Sequence, residues 1–115
     1  MNKLDVLRGA REIIADVRRW TSGTGAVNEY GETMVDPKSK EAVQFCAIGA
    51  LTRVGDDETV LEICTSITLR EGHTLWWIND NRGRKAAIAA LDREIACCEA
   101  EVEAAKPVIT FGLTS

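Results

Sequence analysis

The chain has 115 residues, enough for one domain that buries roughly two-thirds of its unfolded surface without metal or disulfide staples. With 45% hydrophobic and 28% charged residues it falls among globular rather than disordered sequences. A formal charge of −4 argues against a general nucleic-acid or anionic-membrane binder, which needs excess Lys and Arg. No apolar run approaches the ~20 residues of a membrane span.

The opening residues Met1-Asn2-Lys3-Leu4-Asp5-Val6-Leu7-Arg8 carry charge where an export signal is apolar, which predicts a cytoplasmic protein. Such a compartment keeps thiols reduced, and the adjacent pair Cys97 and Cys98 would be strained as a disulfide. Cys46, Cys64, Cys97 and Cys98 are therefore all expected as thiols.

In chain order, Leu7, Ala10, Ile14 and Val17 repeat at helical spacing and predict a first helix from Lys3 to Trp20, stopped by the Gly23 and Gly25 segment. Periodicity is then lost, and Val27, Tyr30 and Val35 around Gly31 predict a short hairpin turning there. Asp36 to Ser39 reads as a turn. A second helix is expected from about Lys40 to Arg53, central and buried because only Gln44 is polar between Ala42 and Leu51. Its small residues Ala42, Cys46 and Gly49 form a stripe that a neighbouring backbone can approach. Asp56 is the expected N-cap of a third helix with inner face Val60, Cys64 and Ile67, ended by Gly72.

Thr74 to Ile78 predicts a single helical turn, and Asn79 to Gly83 a polar loop. The last helix runs from about Arg84 to Lys106 and stops at Pro107, with Ile88, Leu91, Ile95, Cys98 and Val102 as its apolar seam. Residues 107–115 are expected as an added strand or arm beyond a compact domain of residues 1–106. The expected architecture is mainly α: about four helices and a short β-hairpin between the first and second.

Three features share an order: Trp20 followed by glycines, Phe45-Cys46-Ala47-Ile48-Gly49-Ala50, and Asn79-Asp80 before Gly83-Arg84. In that combination the chain resembles a family of bacterial and phage proteins catalogued as domain of unknown function 6197. The resemblance covers about Leu4 to Ile95. It implies a small accessory protein of the kind carried by phage or mobile elements, and it implies no reaction.

The residues offer several chemistries. Cys46 is a candidate nucleophile with His73 as its base and Asn79 or Asp80 orienting the ring, which would make a cysteine hydrolase. Its expected place several residues into an apolar helix instead fits a small core thiol. With no Cys-x-x-Cys, no His-x-x-x-His and a single His, neither a metal nor another cofactor is expected. Asn79 to Lys85 carries two readings. In one, Asp80 or Asn81 caps the last helix and the loop is structural. In the other, helix-start amides with Arg82, Arg84 and Lys85 hold a phosphate or nucleotide.

Trp76 and Trp77 are neighbours and must point in different directions, so at least one is expected at the surface. Exposed Trp beside Arg82 is the composition of a protein-binding hot spot. Glu94, Glu99, Glu101 and Glu103 make the far end of the last helix acidic, while the first helix is rich in Arg. The two are expected to pair within one chain, with a homodimer as the alternative. Together these features predict a non-catalytic module that binds a protein partner, an inhibitor or adaptor acting on a host protein.

Overall fold

A computed structural model describes residues 2–33 and 35–105. Its elements are α1 (Lys3–Ala15), a single 3-10 turn at Val17–Arg19, β1 (Ala26–Asn28), β2 (Ala42–Phe45), α2 (Ala47–Val54), α3 (Asp57–Glu71), α4 (Leu75–Arg82) and α5 (Arg84–Ala105). The chain is mainly helical, with a two-stranded antiparallel hairpin between α1 and α2. The expected arm at 107–115 lies outside the described residues.

Local chemistry accounts for most boundaries. Asn2 caps α1 by accepting the Asp5 amide at 2.9 Å, and Asp56 caps α3 by accepting that of Thr59 at 2.8 Å. Gly72 closes α3 in the left-handed region at φ 79°, where a side chain would be strained. α1 ends at Ala15, earlier than its apolar spacing predicts. There Arg84 of α5 donates to the Ile14 and Ala15 carbonyls at 3.3 and 2.9 Å, satisfying acceptors that the helix end leaves open. Val17, expected on the inner face, is 62% exposed as a result.

The expected helix over 40–53 divides in two. Ala42–Phe45 is extended and pairs with β1, Ala26 opposite Phe45, and the helix begins only at Ala47. Ala42 and Phe45 of β2 are buried, as are Ala47, Gly49, Ala50 and Leu51 of α2, while Val43 is 42% exposed; a short apolar run is a pattern that a strand and a helix share. The hairpin's return strand therefore lies later than the expected turn at Gly31. That turn exists, with Gly31 at φ 79° donating to the Asn28 carbonyl, inside a longer connection. Lys38 Nζ donates to the Gly55 carbonyl, and Arg53 donates to the Pro37 and Ser39 carbonyls, fastening this connection to the C-terminal end of α2.

α1 sits at the centre, packed most extensively on α2 and α5. Val6, Leu7, Ala10 and Ile14 meet Ala50, Leu51, Ala87 and Leu91 in one core. Two ion pairs tie the rim of α1 to α5: Arg8 to Glu99 at 2.8 Å and Arg11 to Asp92 at 2.6 Å. The Arg-rich face of the first helix thus meets acidic groups of the last within one chain.

Candidate functional site

The residues that stand out in the sequence converge on one side chain. Asn79 is fully buried on α4, and all four of its hydrogen-bonding positions are used. Its Oδ1 accepts the Trp20 indole N–H at 2.8 Å and the Ala47 amide at 3.0 Å. Its Nδ2 donates to the Thr21 carbonyl at 3.1 Å and to Asp80 Oδ1 at 3.0 Å. Asp80 Oδ1 in turn accepts the Gly23 amide at 3.0 Å. One amide therefore joins the end of the 3-10 turn, the glycine loop and the first residue of α2.

α2 is locked to the same loop from its other side. Cys46 donates its backbone N–H to the Gly25 carbonyl, and Gly49 faces that carbonyl so closely that a Cβ there would lie 1.8 Å from the oxygen. The expected close approach of a neighbouring backbone at Gly49 is thus real, and the Gly25 loop makes it. Asn79 and Asp80 lie inside α4, which is a helix of eight residues rather than a single turn followed by a loop. The expected cap is overturned with it: Asp80 serves the Gly23 amide, and Asn81 Nδ2 donates to the Trp77 carbonyl. Thr74 caps α4 and Gly83, at φ 91°, ends it.

Cys46 is not several residues into a helix. It is the N-cap of α2, its Sγ accepting the Gly49 amide at 3.2 Å. It is nonetheless a core residue, 1% exposed, and burial pushes its thiol up from the usual range despite the helix-start amides. His73 is elsewhere engaged, its ring stacked on Trp77 at 4.0 Å between centroids and 13° between planes. No hydrogen bond joins His73 to Cys46, so the nucleophile and base of the hydrolase reading are not assembled. Among the described residues no group of three or more His, Cys, Asp and Glu side chains is placed to hold a metal ion. All four cysteines are free thiols.

The three cations of the anion reading part company. Arg84 is bound to the carbonyl end of α1, and the Arg82 guanidinium stands 5.0 Å from the centre of the Trp77 ring. Lys85 is exposed.

Trp76 and Trp77 are 43% and 38% exposed. Trp77 carries His73 and Arg82 against its ring, a π-stack and a cation–π contact. Trp76 lines a groove of about 420 Å³ between α3 and α4, together with Ile48, Cys64, Thr68, Leu69 and Leu75. Leu69, 82% exposed, is the residue that sequence reasoning missed. Its signal is its position: with Leu61, 68% exposed, it lies off the Val60, Ile63 and Ile67 face that α3 buries.

A second cluster was also missed. Glu94, expected among the acidic residues that meet the first helix, is 2% exposed and ion-paired instead with Arg70 of α3. Ser66 Oγ donates to the same carboxylate at 3.0 Å, and Arg70 reaches the Ala90 carbonyl at 3.2 Å and Glu71 at 3.0 Å. Arg93 completes the chain through Glu71, whose carboxyl is held down to about 2, chiefly by the Arg93 hydrogen bond. The signal was present in the spacing, since Leu91, Glu94 and Cys98 follow at three and four and share one helical face.

No helix among the described residues is long and apolar enough to cross a membrane. No curated protein and no solved structure matches the chain. The model of a family of unknown function, DUF6197, matches residues 1–96. That match takes in Trp20, the Cys46 to Gly49 segment and the Asn79 centre that binds them, and on this basis the chain belongs to DUF6197.

Proposed function

We propose that this protein is a non-catalytic protein-binding module of the phage or mobile-element kind, a cytoplasmic inhibitor or adaptor acting on a host protein. The observation that carries the reading is the apolar surface where α3 and α4 meet. Trp76 stands 43% exposed beside an 82% exposed Leu69, over a groove already open between the helices. Large apolar side chains gathered around a groove mark interaction sites more often than isolated ones do. Trp77 with Arg82 extends the surface with the residue types that dominate binding hot spots. The reading is further supported by the inner network, in which the polar groups around Cys46 and Asn79 are committed to the fold.

The test is affinity capture from a bacterial host lysate after chemical crosslinking. The wild-type chain is compared with Leu69→Ser and Trp76→Ala, each first shown to melt as the wild type does. A protein retained in stoichiometric amount by the wild type and lost by both variants supports the module and places its contact surface. Retention unchanged in both variants removes this surface from the reading.

A further inference from the structure

We infer that the groove between α3 and α4 receives a basic amphipathic helix from another protein; this rests on the binding-module reading and specifies its partner. Shape is the first argument. Leu61 and Leu69 stand two helical turns apart on α3, a rise of about 12 Å at 1.5 Å per residue. Apolar anchors at positions i, i+3, i+4 and i+7 of an incoming helix span about 10.5 Å, so one such face matches the stripe. Trp76 on α4 supplies the opposite wall.

Charge specifies the partner further. Asp57, Glu58 and Glu62 are exposed on the N-terminal half of α3 and enter no ion pair among the described residues. Glu58 lies three positions before Leu61, Glu62 three before Thr65, and the two are four apart, so they border the stripe. Of the cations on neighbouring elements, Arg82 stands over the Trp77 ring, and two others are held elsewhere. Arg70 is bound to Glu94 and Glu71, and Arg53 to the Pro37 and Ser39 carbonyls. An apolar stripe with an acidic border suits a helix whose apolar face is flanked by Lys or Arg, since like charges across an interface are costly. The first helix of a second copy is a poor donor of such a face. The Arg side chains of its own first helix, Arg8 and Arg11, are paired with Glu99 and Asp92.

The probes are short synthetic peptides labelled with fluorescein: a Leu/Lys helix with leucines at i, i+3, i+4 and i+7, its Leu/Glu counterpart, and a scrambled Leu/Lys sequence. Anisotropy is measured against the full chain. Saturable binding of the Leu/Lys helix alone is expected, weakened about tenfold or more by Leu69→Asp and by Glu58→Lys/Glu62→Lys. Equal binding of the scrambled peptide would reduce the effect to net charge and overturn the inference. Binding of the Leu/Glu helix in its place would overturn the basic partner while leaving the groove a protein-binding surface. No binding of either helix also overturns the inference, and the capture experiment then judges the wider reading separately. Self-association in sedimentation that Leu69→Asp abolishes would assign the groove to a second copy instead.

Discussion

Trp20 and Asn79, 59 positions apart, meet through a 2.8 Å hydrogen bond from the indole N–H to the side-chain carbonyl. The same oxygen holds the amide that starts α2, so the bond sets how the first third of the chain meets the last. Trp20→Phe keeps the ring and removes the donor, and is expected to cost about 1–2 kcal/mol. Asn79→Leu strands the indole, the Ala47 amide and the Thr21 carbonyl together, and is expected to cost about 3–5 kcal/mol. Urea denaturation of both variants checks the ranking. Equal and small losses would mean that water replaces the amide.

Gly49 tests the contact between α2 and the glycine loop. A methyl group there would stand 1.8 Å from the Gly25 carbonyl oxygen, and that oxygen also accepts the Cys46 amide. The backbone cannot yield without breaking this bond, so Gly49→Ala is expected to destabilise by about 3 kcal/mol or more, although alanine favours helix. A melting temperature equal to the wild type would refute the close approach.

Acid should loosen the α3–α5 seam before the rest. The Glu71 carboxyl is lowered from its ordinary 4.5 to about 2 by Arg93 and Arg70. A lowered folded-state value means that the stabilisation is complete above about pH 4.5 and is lost as the pH falls from there towards 2. Because Arg93 is half exposed, the loss is expected to be on the order of 1–2 kcal/mol. Stability of the wild type and Glu71→Gln should draw together as the pH is lowered from 7 and meet only near pH 2. Parallel curves would show that the pair contributes nothing.

Thiol labelling should follow burial. Cys97 is exposed and should react first with a small alkylating reagent. Cys64 is half-buried with its thiol pushed up to about 11, and Cys46 is buried with its thiol raised. Cys64, which lines the open groove, should react slowly in the native state because the thiolate is the reacting form, and Cys46 in step with unfolding. Mass spectrometry of peptides from timed quenches reads the order. Fast native labelling of Cys46 would reopen the nucleophile reading.

The buried Arg70–Glu94 pair separates two roles of charge. Glu94→Ala leaves Arg70 with Glu71 as its remaining carboxylate partner and is expected to cost about 3 kcal/mol. The double variant Arg70→Met/Glu94→Leu should recover most of that, since an apolar pair of similar volume replaces two desolvated charges. A double variant as unstable as Glu94→Ala would give the pair a net favourable role, and the single variants Arg70→Met and Glu94→Leu complete the cycle that measures it.

Caps, helical faces and glycine stops were legible in the sequence because each is a local event. Asp56, Gly72 and the Leu7, Ala10, Ile14 stripe require only their own neighbours, and the mainly helical class follows from such features. The apolar run at 42–51 did not disclose its division into β2 and α2, because the outward-facing Val43 is apolar too and a short apolar run lacks the contrast in periodicity that separates strand from helix. Asn79 looked like a loop residue since Asn favours loops when judged locally. Only the tertiary structure brings Trp20, Thr21 and Ala47 around it, and those long-range hydrogen bonds make a buried amide favourable within a helix. Glu94 follows the same logic: a carboxylate on an apolar face is tolerated where Arg70 and Ser66 arrive from another helix. The sequence by itself determined the elements that depend on nearby residues, while the pairing of distant polar groups and the groove beside Trp76 were decided by how the helices pack.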